Sequence, residues 1–198
     1  MISQSNILFN LLIFLLFDIY YPNHLLPYLY FLLELFQKAK ERGIHTCLDT
    51  SGIMFPGFPE DGEATSDITL EKIDRLLDVT DLVMLDIKHI RDEDHRKLTG
   101  HSNKNILAFA RYLDQKKKPV WIRHVVVPGI TFEKAELTEL GHFLKTLSNM
   151  EKLEVLPYHA LGKVKYDNLG MDYVLKDTPQ LTKEEAKKAE QMIRDAMS

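Results

Sequence analysis

Asp86 and Lys88 stand two residues apart in the apolar run Leu82-Val83-Met84-Leu85-Asp86-Ile87-Lys88. In a strand, that spacing puts both side chains on one face. Opposite charges in a buried strand are costly unless they pair with each other or with a charged ligand. Lys88 is thus a candidate to hold a carboxylate or phosphate, or to form a Schiff base if desolvation lowers its pKa; the plain alternative is a salt bridge at a strand end. Three other β-prone runs also finish in polar residues: His45-Thr46-Cys47-Leu48-Asp49-Thr50, Val120 to Gly129, and Leu153-Glu154-Val155-Leu156-Pro157-Tyr158-His159. Asp49 and Thr50 read either as turn-capping groups or as oxygen ligands to a cation or partners of a ribose. Arg123 needs a partner inside its strand, with Glu154 of the next strand or a ligand carboxylate as the two choices. His159 carries weight through its position at the fourth strand exit. Cys47, Met84 and Trp121 are expected in the core.

These residues can meet only if the elements between the runs return the chain each time. Apolar spacing predicts helices from Phe31 to a stop at Gly43, over 69–78 with Thr69 as cap, over 103–115 and over 133–147. Asp92-Glu93-Asp94 suits a helix amino terminus, and Thr182-Lys183-Glu184-Glu185 opens a capped last helix. An irregular loop is expected over 51–68 and an extended tail over 160–178. Strands alternating with helices run parallel, and their carboxyl ends share one face. Asp49, Asp86, Lys88, Arg123 and His159 are therefore expected around one pocket.

The 198 residues suffice for one core, at 45% hydrophobic and 27% charged. A net charge of −4 lacks the basic footprint of a nucleic-acid binder. A single cysteine excludes an internal disulfide and any metal site built from several cysteines of this sequence, and it suits the cytoplasm. Residues 1–30 differ from the rest, with no lysine, arginine or glycine. Ile7–Phe17 is apolar but short of the ~20 residues of a membrane span, and no basic residue precedes it as in a signal peptide. The expected division is an atypical apolar segment over 1–30, foreign to the fold, and a domain over 31–198. A membrane anchor or a buried terminal helix are the other readings of the first segment.

Taken in order, His45–Gly52, Thr80–Lys88, Val120–Gly129 and Leu156-Pro157-Tyr158-His159-Ala160-Leu161-Gly162-Lys163 closely resemble the pyruvate formate-lyase activating enzymes. These are glycyl-radical-generating members of the radical S-adenosylmethionine superfamily. The resemblance covers about residues 31–198 and implies a partial, open parallel (β/α) barrel that retains the last four strand–helix units. In that family a 4Fe-4S cluster reductively cleaves S-adenosylmethionine, and the resulting radical takes a hydrogen from a glycine of pyruvate formate-lyase. A small protein donates the electron. By resemblance, Asp86, Ile87, Lys88, Arg123, Val125 and His159 would line the S-adenosylmethionine pocket. Asp49, Thr50, Met84 and Asp86 match positions that hold a monovalent cation.

Two family features have no counterpart in this sequence. There is no Cys-x3-Cys-x2-Cys set, so three thiolates for a cluster are lacking. Tyr28-Leu29-Tyr30 stands where a Gly-Gly-Glu segment is expected. The expectation is therefore a truncated or altered relative, inactive alone, with weak or negligible S-adenosylmethionine binding. The alternatives are a remnant that only docks on the glycyl radical enzyme, and a barrel enzyme with a Schiff-base lysine.

Overall fold

The computed structural model describes residues 11–14, 25–57, 70–160, 168, 170, 175 and 177–198. Much of the expected 51–68 loop, the Thr69 cap and most of the 160–178 tail lie outside these residues. Five strands form one parallel sheet in sequence order: β1 (Leu11–Phe14), β2 (Thr46–Thr50), β3 (Leu82–Asp86), β4 (Val120–Val126) and β5 (Met150–Pro157). The last four are the strands that the apolar runs predict. β1 adds a short edge strand in register with Thr46–Asp49. The described sheet ends at β1 and β5 without closing.

Among the described residues, these helices accompany the strands: α1 (Leu25–Glu41), α2 (Leu70–Asp78), α3 (Asp92–Thr99), α4 (Lys104–Gln115), α5 (Lys134–Leu144) and α6 (Lys183–Met197). α1 starts six residues before the expected Phe31, so the boundary drawn at 31 falls inside it. Pro27 sits in its first turn, where a missing N–H leaves no helical bond unmade. α1 stops where predicted: Gly43 adopts φ 68°, and its N–H and that of Ile44 cap the carbonyls of Lys40 and Ala39. α3 carries Asp92, Glu93 and Asp94 in its first turn. Thr182 and Glu185 close a reciprocal capping box at α6.

Alternation along the strands separates two faces. Leu48, Val83, Leu85, Val120, Ile122, Val126 and Leu153 pack in the main core with Ile73, Leu77, Ile106, Leu113, Leu137, Leu140 and Ile193 of the helices. The opposite face carries a small second cluster of Cys47, Leu82 and Met84, with Trp121 against it. Cys47 and Met84 are thus core residues, as expected, but on the face away from the helices, whereas Trp121 is only partly buried there. Farther along that face, toward the carboxyl ends of the strands, the side chains become charged.

Candidate functional site at the strand exits

Parallel pairing sets Asp49 opposite Met84, and Asp86 opposite Arg123. Asp49, Met84, Asp86 and Arg123 therefore lie on the inner face of three neighbouring strands. Arg123 joins them. Its Nε donates to Asp86 Oδ1 at 2.7 Å and its Nη1 to Asp49 Oδ2 at 2.8 Å, while Nη2 donates to Asp49 Oδ1. Lys88, beyond the end of β3, donates from Nζ to Asp86 Oδ2 at 2.6 Å. Two acids and two bases form one charge-balanced chain.

The chain is graded in depth. The Asp49 side chain is 6% exposed, Arg123 15%, Asp86 21% and Lys88 38%. Burial pushes the Asp49 carboxyl up, against the pull of the Arg123 charge and hydrogen bonds. Burial also opposes the Arg123 charge, but Asp86 and Asp49 outweigh it and hold the guanidinium above its ordinary value. A ligand arriving from the Lys88 side would meet a cation first, then a carboxylate, then the fork of Arg123.

The partner expected for Arg123 is corrected. Glu154 lies opposite it in register, yet pairs with Lys152 at 2.8 Å. Arg123 reaches the other way, across β3, because two carboxylates satisfy its fork where one would leave donors unpaired. The remaining candidates are less tightly drawn together. Val125 is half-buried two residues along the Arg123 face. Ile87 turns its side chain into the main core, while its N–H donates to Arg123 O at 3.0 Å. Thr50 is buried, and its Oγ1 accepts from Gly52 N–H at 3.0 Å. His159, just past β5, is exposed and approaches Gln180 Oε1 at 3.4 Å rather than the charged chain. Among the described residues, no group of three or more His, Cys, Asp and Glu is arranged to hold a metal ion.

A second polar cluster beneath the site went unrecognised in the sequence. His89 Nδ1 lies 3.1 Å from Glu136 Oε2, with exposures of 3% and 1%. The same nitrogen accepts from Arg91 N–H at 3.2 Å, so neutral His89 carries its proton on Nε2. Glu136 Oε2 is buried and has no hydrogen-bond partner among the described residues. Burial pushes Glu136 up to about 7 and pushes His89 down, so it favours the neutral form of both. Burial likewise pushes His124 down to about 4. The only sequence signals were ordinary ones: Glu136 reads as an acid in a helix first turn, and His124 as a strand residue.

The sequence model of the Radical SAM superfamily matches residues 20–140. A pyruvate formate-lyase-activating enzyme of Streptococcus mutans is 47% identical over 163 residues, 82% of this chain and 59% of the relative. One from Staphylococcus epidermidis is 47% identical over 159 residues, 80% of this chain and 60% of the relative. The chain thus spans about 60% of the length of these curated relatives. In fold it is similar to a crystal structure of a domain of pyruvate-formate lyase-activating enzyme from Bacteroides vulgatus. That likeness has a TM-score of 0.66 at 19% identity, over 88% of this chain and 90% of the other.

Proposed function

The chain belongs to the radical SAM superfamily, and we propose that it is the S-adenosylmethionine-binding, partner-docking portion of an enzyme that activates pyruvate formate-lyase. The observation that carries this is the balanced chain Lys88–Asp86–Arg123–Asp49 at the exits of neighbouring strands. A methionine moiety presents one carboxylate and one ammonium. Lys88 would take the carboxylate and Asp86 the ammonium, an exchange of ion pairs that leaves no charge alone. Val125 would border the same ligand with its side chain and Ile87 with its backbone, and His159 would close on it from beyond β5. Asp49, Thr50, Met84 and Asp86 would hold a monovalent cation, with Asp49 and Asp86 sharing their oxygens between it and Arg123. Identity near 47% to the named activating enzymes supports the substrate class and the partner.

The 4Fe-4S cluster of the family does not fit the donor set of this sequence. Cys47 is its one cysteine, buried in mid-strand, with a thiol that burial pushes up to about 11. Such a thiol is a poor metal ligand, because the thiolate is the binding form. No radical step is therefore assigned to these residues; their role is to bind and orient. The cytoplasm, where a reduced thiol persists, is the proposed setting, and a small-protein electron donor would serve the cluster-bearing portion. Among the described residues, no helix is long and apolar enough to cross a membrane.

Capture of the chain on immobilised pyruvate formate-lyase, without S-adenosylmethionine, tests the docking half. Retention that resists moderate salt is expected, and passage through the column with the void would defeat it. The Schiff-base alternative is disfavoured by the ion pair at Lys88, since that chemistry begins at a free amine. Borohydride treatment with pyruvate is expected to leave Lys88 unmodified.

A further inference from the structure

The backbone that leaves β3 is held from three directions by side chains hidden from solvent. His124 Nδ1 bonds Ile87 O at 2.8 Å. Asn103 Nδ2 donates to His89 O at 3.0 Å and to Ile90 O at 2.7 Å. Glu136 Oε1 accepts from Ile90 N–H at 2.9 Å. These three side chains come from β4, the start of α4 and the first turn of α5, and all are buried. Burying such groups is unfavourable unless they are bonded, and all these bonds go to residues 87–90.

Asn103 shows where the placement is decided. It occupies the N-cap position of α4, where asparagine ordinarily accepts from a first-turn amide, yet it makes no such bond. Its amide is turned to the loop carbonyls instead, while Asp92 Oδ1 accepts from its N–H at 2.9 Å. His124 likewise leaves Nε2 buried without a partner, so the Ile87 contact fixes its ring.

We infer that Asn103, His124 and Glu136 are positioning residues for Asp86 and Lys88. By fixing the carbonyls and the amide of residues 87–90 they set the direction in which Lys88 leaves the strand, and so the spacing of the two charges offered to a ligand. The identity of that ligand rests on the function proposed above; the positioning itself does not.

Lys88 reports on it in the full chain. Its side chain is 38% exposed and bonded to Asp86, so its acylation rate, read by mass spectrometry, measures how well the pair is held. Asn103→Ala and Glu136→Leu are expected to raise that rate about fivefold or more, the factor of a typical net hydrogen bond. Glu136→Gln keeps an acceptor for Ile90 N–H and is expected to label like the parent. Leu140→Ala opens a cavity on α5 but removes none of the hydrogen bonds to residues 87–90; it should lower the melting temperature and leave Lys88 unaccelerated. Parent-like labelling in folded Asn103→Ala and Glu136→Leu overturns the inference, as does equal acceleration by Leu140→Ala. If Asn103→Ala does not fold, the contrast between Glu136→Leu and Glu136→Gln decides alone. S-adenosylmethionine, added as probe to the parent at high concentration, separates the two claims. Protection of Lys88 supports the ligand reading; its absence removes that reading while the variant rates still decide the positioning.

Discussion

Arg123 shows how much one side chain can hold. It spans from Asp86 to Asp49, two strands over, a distance that only a long forked side chain covers when strands lie about 5 Å apart. Arg123→Met would leave Asp49 and Asp86 facing each other with Lys88 alone to balance them. We expect a loss of about 3–5 kcal/mol, typical of a buried pair broken on one side. Urea denaturation should show the loss in full at pH 8 and less in acid, where burial favours the protonated form of Asp49.

Glu136 and His124 make opposing contributions to acid stability. Glu136 rises to about 7 on folding, so between roughly pH 4.5 and 7 the folded state binds the extra proton and stability falls as pH rises. His124 falls to about 4, so between roughly pH 6.5 and 4 the unfolded state binds the extra proton and stability falls as pH drops. The two slopes largely cancel in the parent. Glu136→Gln should unmask the histidine slope. It should stabilise the protein at pH 8 by up to about 3 kcal/mol, since raising a carboxyl pKa costs the ionised form about 1.4 kcal/mol for every tenfold change in proton affinity. The same change should steepen the loss of stability below pH 6. A parent-like pH profile would show that Glu136 is ionised throughout. The charged chain at the strand exits could be read from spacing, since period two places Asp86 with Lys88 and position along the run supplies Asp49 and Arg123. The Arg123 partners could not, because Glu154 is the nearer neighbour in register and only three-dimensional reach favours Asp49.

At the level of elements, α5 and α6 are joined through Gly141. A Cβ there would stand 2.5 Å from Ile193 O and 2.6 Å from Ala196 Cβ. Gly141→Ala must therefore push α6 away, and overpacking of this kind costs about 1–3 kcal/mol. The thermal midpoint should fall by several degrees, while Lys88 and Arg123 keep their pairing because α6 lies away from them. Four strands and the helices between them were evident from apolar periodicity and caps, as at Gly43 and Thr182. β1 was not, since Leu11–Phe14 belongs to a uniformly apolar stretch that shows no period at all. The start of α1 was hidden by Pro27, which reads as a breaker until its place in the first turn is known.

Over the whole molecule, the sheet has two faces and two edges with different demands. The helical face is filled. The inner face carries Cys47, Leu82, Met84 and Trp121 below the charged chain, the arrangement of an interior rather than a surface. The β5 edge is blunted by Glu151, Lys152 and Glu154, whereas the edge at β1 is apolar in sequence. Self-association at raised concentration is therefore expected in light scattering, and a monodisperse monomer across the range would argue otherwise. What the charged chain binds can be read by nitrogen-15 NMR of the protein titrated with S-adenosylmethionine, which reports even weak affinity. Shifts concentrated at the Arg123 Nε–H and at the Asp49, Asp86 and Lys88 amides, saturating only at high ligand concentration, are the expected result. A titration that leaves those signals unmoved, or moves signals elsewhere, would contradict the assignment.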